Sequence, residues 1–430
     1  MRLALIDGEH YPDVNRWALD KIRPCCAVFV GGIEKIGGIE DVEKALGVKL
    51  YHNSDIFRAL ERALSENNVK EVFDLSDDPV LTPELRFRVA SFLLRRGISY
   101  IGADFQFRPK EWLKIDVPSI NIIGTGKRVG KTSVGAFVGR TLKDLYRVVI
   151  VTMGRGGPES PEVIRGDLIE ITPEFLLKVA EEGKHAASDH FEDALMAGVA
   201  TVGCRRCGGG LAGFSFFDVV KEGIEVAKSL NPDLIVFEGS GATFANVLSE
   251  GFITVVSARQ GVSKVRDYFG PFRVSLADIV VVTMADSVGE SELREILRVV
   301  EEINPSADVH VTRFAPRLIG KVEGKAIVVT TSPESARKVA EELKRDGIDV
   351  VGYSGSLANR KKLREELSNF GYDTAIVELK AGAVDVVVRD ALGKGRNIVF
   401  LDNEPRNIDG KDLAKAVREL ARRVVNDKGG

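Results

Sequence analysis

The chain has little cysteine: Cys25, Cys26, Cys204 and Cys207 in 430 residues. Four thiols are too few to staple a fold of this length, which excludes a disulfide scaffold. Glutamine is scarcer still, with only Gln106 and Gln260, while lysine, arginine and glutamate abound. That bias fits a heat-adapted source. No apolar run approaches the roughly 20 residues that cross a bilayer, and Met1-Arg-Leu-Ala-Leu-Ile-Asp7 meets an acid too early for a secretion signal. The expected location is therefore the cytoplasm, with no membrane partner. A net charge of −3 provides no broad positive field, so nucleic acid is not an expected partner either. Any polyanion must be met by local lysine and arginine clusters. At 44% hydrophobic and 29% charged residues the composition is that of a globular protein, and its length predicts two or three domains.

Short β-branched runs alternate with helical patterns throughout, which predicts a multidomain α/β fold with mainly parallel sheets. Strands are expected at Arg2–Ile6, Ala27–Val30, Val72–Leu75 and Ser99–Ile101, and helices at Ser54–Asn67 and Pro83–Arg96. These make an N-terminal α/β domain over 1–115. A central nucleotide-binding domain is expected over 116–320, with strands at Arg147–Thr152, Asp233–Phe237, Ile253–Ser257 and Ile279–Thr283. A boundary near Pro316–Gly324 precedes a C-terminal α/β region over 321–430, in which strands at Ala326–Thr331, Asp349–Tyr353, Thr374–Leu379 and Ile398–Leu401 alternate with helices, one of them over Ala383–Leu392. The sequence leaves open whether this region is a separate lobe or extends the central sheet.

The strongest motif is Gly124-Thr-Gly-Lys-Arg-Val-Gly-Lys-Thr132, set between the apolar run Val117–Ile123 and a helical pattern. Strand, glycine-rich turn, Gly-Lys-Thr and helix in that order are the layout of a phosphate-binding loop, and predict a central P-loop NTPase domain. Gly124, Gly126 and Gly130 let the backbone N–H groups of Thr125, Lys127, Arg128 and Val129 face phosphate oxygens, and the helix start adds positive partial charge. Lys131 is expected to reach the β/γ-phosphates, Thr132 to hold Mg²⁺, and Ser133 to close the cradle. The strict pattern wants glycine at 125, where Thr125 stands. This offset resembles the loop of dethiobiotin synthetase and related ATPases. Lys127 and Arg128 bring further positive charge to the reacting phosphates, which makes them catalytic candidates with Lys131.

The second motif is Asp233-Leu-Ile-Val-Phe-Glu-Gly-Ser-Gly241, an apolar strand ending in an acid and a glycine turn. Ligands of open parallel sheets sit at the carboxyl ends of strands, so Glu238 is a candidate catalytic and Mg²⁺-binding carboxylate. Thr283-Met-Ala-Asp286 lacks the lysine that a guanine site would favour, so Asp286 is a candidate base contact and ATP the expected nucleotide. Arg155, between glycines at Met153–Gly157, and Lys264 and Arg266, after Ile253–Ser257, mark further basic turns. The stretch from His185 and His190 to Cys204-Arg-Arg-Cys207 admits three readings: zinc on the cysteines and histidines, an anion site built on Arg205 and Arg206, or a surface loop. Arg155, His185, His190, Arg205, Arg206, Lys264 and Arg266 together suggest a pocket for a second, strongly anionic small molecule. Asp7-Gly-Glu-His10 ends the first strand and reads equally as a turn or a site.

The opening Ala4-Leu-Ile-Asp-Gly-Glu-His-Tyr-Pro12, the phosphate loop, and Val202-Gly-Cys-Arg-Arg-Cys-Gly-Gly-Gly210 resemble the cyclic 2,3-diphosphoglycerate synthetases of methanogenic archaea over essentially the whole chain. The resemblance implies an ATP- and Mg²⁺-dependent ligase. It would close 2,3-diphosphoglycerate into an intramolecular pyrophosphate and release ADP and phosphate. Competing readings are a carboxylate-activating ligase of the dethiobiotin type and a dimeric ATPase or GTPase switch that loads metal. Enzymes with this loop offset are often dimers, so a homodimer is expected.

Overall fold

The computed structural model describes residues 1–36 and 38–429. It is an α/β protein of two compact units, Met1–Glu111 with Ser263–Leu276, and Trp112–Val262 with Ala277–Gly430. No helix among the described residues is long and apolar enough to cross a membrane.

The first unit is built on a sheet ordered Lys49–Tyr51, Cys26–Phe29, Arg2–Ile6, Glu71–Asp74, Ser99–Ile101 and Gln106–Phe107, parallel except for the last strand. Its core positions, such as Leu3, Leu5, Val28 and Val72, are fully buried, as expected where helices cover both faces. The buried Asp7 carboxylate accepts from the Glu9 and Asp77 amides and contacts His10 Nδ1 at 2.7 Å, which ties the first strand's exit turn to that of Glu71–Asp74.

The second unit carries 13 strands in one continuous sheet. Its parallel centre runs Ala200–Gly209, Val148–Gly154, Leu234–Glu238, Ser119–Gly124, Gly251–Ser257, Ile279–Thr283 and Asp308–Ile319. The strands Ser119–Gly124, Val148–Gly154, Leu234–Glu238 and Gly251–Ser257 are buried at every position, so their near-unbroken apolar sequences follow from cover on both faces. The C-terminal residues extend this sheet. Asp308–Ile319 pairs with Ile279–Thr283 through Asp308–Val311, then pairs antiparallel with Asn397–Asn407 from Thr312↔Asn407 to Ile319↔Phe400. Thr374–Val377, Ala326–Val329 and Val350–Ser354 follow in parallel. Pro316 therefore lies inside a strand, beyond the stretch that pairs with Ile279–Thr283. There it has a strand neighbour on one side only, and its missing N–H costs no ladder bond.

Three helices start with the same device. Thr82, Thr172 and Ser332 each cap a helix that opens with Pro-Glu, and each side-chain oxygen accepts the amide three residues on. The segment expected as a helix over Ala383–Leu392 is a π-helical turn, Ala383–Val388, continuing as the α-helix Arg389–Gly393.

Candidate active site

The Gly-Lys-Thr loop joins the central strand Ser119–Gly124 to the helix Lys131–Leu142. Arg128 and Gly130 both take left-handed φ, 62° and 94°; at Gly130 a Cβ would also sit 2.3 Å from the Phe314 ring. The loop is held from its neighbours: the Thr125 amide donates to Val255 O, the Thr283 hydroxyl to Val129 O at 2.7 Å, and Gln260 Nε2 to Lys127 O at 2.6 Å. Lys131 is buried, and its ammonium donates to the carbonyls of Gly126 and Gly241. Lys127 and Arg128 are exposed at the loop's tip. Helix Lys131–Leu142 starts at the loop, and a helix N-terminus is the arrangement that takes phosphate.

Beside Thr132 stands a carboxylate cluster. Glu238 ends its strand fully buried, and the helix Asp189–Ala197 presents Asp189, Glu192 and Asp193 toward it. Gly135 permits the approach, since a Cβ there would lie 2.7 Å from Glu238 Oε2. The Asp193 and Glu238 carboxyls are buried side by side and interact with each other, with no other partner among the described residues at either Asp193 oxygen or at Glu238 Oε2. Burial pushes Glu238 up to about 7 and Glu192 up to about 8, and raises Asp193 well above the usual carboxylate range. For Glu238 the Thr132 hydroxyl and Lys131 pull the other way. Lys380, from the C-terminal residues, lies 3.3 Å from Glu192 Oε1, and that carboxylate raises its pKa. Burial without compensating charge is costly, so these carboxyls favour the protonated form, and Lys380 supplies positive charge beside Glu192.

A cavity of about 450 Å³ opens next to the cluster, walled by the glycine turn Gly154–Gly157 with Arg155, by Lys184, His185 and Ser188–His190, and by Ser240. Arg360, Ala381 and Asp385 close its far side. Thr152 Oγ1, on the cavity wall, is buried without a hydrogen-bond partner. The Glu238–Gly241 turn joins loop and cavity: Gly241 O accepts Lys131, and Ser240 O accepts Arg206 Nη2 at 2.7 Å.

Arg205 and Arg206, expected together as an anion grip, leave their strand in opposite directions. Residues Ala200–Gly209 form one extended strand, and successive side chains of a strand leave opposite faces. Arg206 is buried toward Ser240, with its pKa lowered by burial and by the nearby Arg155. Arg205 is exposed on the other side, bonded to Gly157 O at 2.9 Å. The same alternation separates the cysteines. Cys204 is packed in the core, its thiol pushed up to about 12 by burial, while Cys207 is exposed. The zinc reading loses its ligand pair, and no group of three acid, histidine or cysteine side chains among the described residues could enclose a metal.

His190 is buried and its pKa is lowered by burial; Nδ1 lies 3.1 Å from Ser188 Oγ and Nε2 3.4 Å from Glu162. It is a neutral wall of the cavity, where a Cβ at Gly203 would collide with its ring. His185 lines the cavity from an exposed position. Asp286 is exposed on the short turn Ala285–Ser287 after the Thr283 strand. Lys264 and Arg266 lie on Ser263–Arg266, a segment of the first unit. Sequence reading passed over Asp189, Glu192 and Asp193, whose spacing on one helix was the available signal. It also passed over Lys380 and Arg360, for which no local pattern exists.

Loop, parallel sheet and strand-end carboxylate define a P-loop nucleotide-binding α/β enzyme. The domain models of one family match in order along the chain: cyclic 2,3-diphosphoglycerate synthetase, N-terminal domain, at residues 2–108, its P-loop domain at 119–313 and its C-terminal domain at 318–404. The chain belongs to the cyclic 2,3-diphosphoglycerate synthetase family. It is 72% identical to the cyclic 2,3-diphosphoglycerate synthetase of Pyrococcus furiosus over 430 residues, the full length of both. It is 58% identical to that of Thermococcus kodakarensis, covering 99% of each chain, and 40% identical to that of Methanothermobacter thermautotrophicus, covering 99% of this chain and 97% of the other. Among solved structures, LpxK from Aquifex aeolicus in complex with ATP aligns with 80% of this chain and 97% of its own at 15% identity and a TM-score of 0.45.

Proposed function

We propose that the protein uses ATP to close 2,3-diphosphoglycerate into its cyclic pyrophosphate, releasing ADP and phosphate. One observation carries this reading: a cavity bearing Arg155 and His185 shares the Glu238–Gly241 turn with the buried amine of Lys131. A triphosphate tail in the loop would then stand beside a densely anionic acceptor. Full-length similarity to synthetases of that name supports the choice of acceptor.

In this scheme an oxygen of one acceptor phosphate attacks the γ-phosphorus and ADP leaves. An oxygen of the neighbouring phosphate then attacks the inner phosphorus of the new diphosphate, the ring closes, and orthophosphate departs. Such displacement needs alignment and charge neutralisation more than covalent help. Lys131, Lys127 and Arg128 neutralise the transferred group, Arg155, His185 and Arg206 hold the acceptor, and Asp286 faces the base. Thr132 and Glu238, whose carboxyl interacts with the Thr132 hydroxyl at the start of the loop's helix, would hold a Mg²⁺ ion. When bound, the ion supplies charge neutralisation for the phosphates.

The same reading divides the chain by role into residues 1–115, 116–320 and 321–430, in keeping with the three matched domain ranges. It places the enzyme in the cytoplasm as a homodimer, which sedimentation measures. The switch alternative leaned on Cys204 and Cys207 as a pair, and they lie on opposite faces of a strand. Incubation with ATP, Mg²⁺ and 2,3-diphosphoglycerate should yield a new pyrophosphate signal by phosphorus NMR; ADP without that signal would refute the assignment.

A further inference from the structure

The cavity's far wall comes from residues that no motif marks. Arg360 opens the helix Arg360–Ser368, whose cap, Asn359, accepts the Lys362 amide. Opposite it, Ala381 holds a left-handed φ of 47°, and the six-residue π-helical turn Ala383–Val388 follows. Both conformations are sparsely populated, and they persist where a site needs a backbone aimed in an unusual direction. The two pieces are locked together: the Gly382 amide donates to Leu357 O at 3.1 Å, and a Cβ at Gly382 would stand 2.9 Å from that oxygen. The result brings the Arg360 guanidinium to Asp385 at the cavity wall, Nε to Oδ2 2.5 Å, with the Arg360 side chain half exposed.

Arg155 and His185 are on the Gly154–His190 side of the cavity, and Lys184 is taken up by Glu162. Arg360, from the helix Arg360–Ser368, lines the same cavity from a different part of the chain. An acceptor with two phosphates needs positive charge at both ends: one to align the attacking group and one to hold the other within reach for ring closure. A guanidinium matches a phosphate with two parallel donors. Its present partner is an exposed carboxylate, and such pairs contribute little, so an entering phosphate can displace Asp385.

We infer that Arg360 is a substrate-binding residue that holds one phosphate of a bisphosphate acceptor, so that the C-terminal residues set the enzyme's selectivity for a doubly phosphorylated substrate. This rests on the acceptor site proposed above. The test uses the full-length protein with Arg360→Gln, Arg360→Lys and Asp385→Asn. Binding of 2,3-diphosphoglycerate is followed by calorimetry, and turnover with ATP is followed separately.

Arg360→Gln should weaken bisphosphate binding and raise its KM at least tenfold. The KM for ATP should stay within twofold and the melting temperature should be unchanged. Arg360→Lys should recover part of the loss, and Asp385→Asn should leave binding equal or tighter. If Arg360 serves only its ion pair, Arg360→Gln and Asp385→Asn will behave alike and leave the bisphosphate KM within twofold, which overturns the inference. A wild type that binds the bisphosphate without forming product overturns the proposed reaction alone, and Arg360's role is then judged on the binding isotherms. A wild type that does not bind it overturns both.

Discussion

Replacing Glu238 with glutamine should make the ligand-free protein more stable at neutral and alkaline pH. Burial raises this carboxyl from an ordinary 4.5 to about 7. Below pH 4.5 both folded and unfolded chains carry it protonated, and it costs nothing. Between 4.5 and 7 the unfolded chain gives up a proton that the folded chain keeps, so stability falls as pH rises. Above 7 both are ionised and the loss is constant. At about 1.4 kcal/mol per pH unit the full effect is about 3 kcal/mol. The side chain is 1% exposed, so solvent screens little of it. An amide of the same shape has no charge to bury, and its N–H group can keep the contact with the neighbouring Asp193 carboxyl. Guanidinium unfolding of both proteins at pH 4.5, 6 and 8, without metal or nucleotide, measures the difference. It should be near zero at pH 4.5 and grow to about 3 kcal/mol by pH 8. Adding Mg²⁺ with ADP should then stabilise the wild type more than the variant, because the bound cation relieves a charge that only the wild type carries. A variant no more stable than wild type at pH 8, or one with the same advantage at pH 4.5, would refute the argument that the buried charge is what costs.

Two further outcomes follow from the same geometry. Lys131→Ala removes the buried ammonium aimed between Gly126 and Gly241 and should lower kcat/KM by about 3 kcal/mol, on the order of a hundredfold or more; a loss under fivefold in steady-state assays would exclude it from phosphoryl transfer. Asp402→Ala strips the buried carboxylate that receives Arg140 at 2.8 Å and Arg317 at 3.4 Å. It should cost about 3 kcal/mol in denaturant unfolding, since two partly buried arginines lose their shared acceptor. A cost under 1 kcal/mol would mean that these arginines are satisfied without it.

Local chemistry was enough to read several elements. Glycines at 124, 126 and 130 ahead of Lys131 and Thr132 announce a phosphate loop because so few backbones need that spacing. An acid ending the apolar run Leu234–Phe237 announces Glu238 because strand ends of parallel sheets carry sites. Arg2–Ile6, Ser99–Ile101 and Ile279–Thr283 were legible to the residue; the first and last are near-unbroken apolar runs, as strands covered on both faces are.

Other elements depend on contacts between residues far apart in the chain. The boundary expected near Pro316–Gly324 begins inside the strand Asp308–Ile319, whose Pro316 pairs with Asn403 of Asn397–Asn407. Gly203-Cys-Arg-Arg-Cys-Gly208 admitted zinc, anion-site and loop readings by its residue types, and in the fold it is strand, pairing with Val148–Gly154 on one side and Ser215–Asp218 on the other. That pairing alternates its side chains, which parts Arg205 from Arg206 and Cys204 from Cys207. The carboxylates of Asp189–Ala197 become a site only when Gly135 lets them close on Glu238. Lys380 meets Glu192 and Arg360 lines the cavity because the antiparallel junction at Thr312–Ile319 joins the C-terminal strands to the nucleotide-binding sheet. Sequence by itself determined which residues can bind phosphate, through backbone freedom and charge. Tertiary structure decided which of them face the same space, because that depends on strand register and helix packing between segments up to two hundred residues apart.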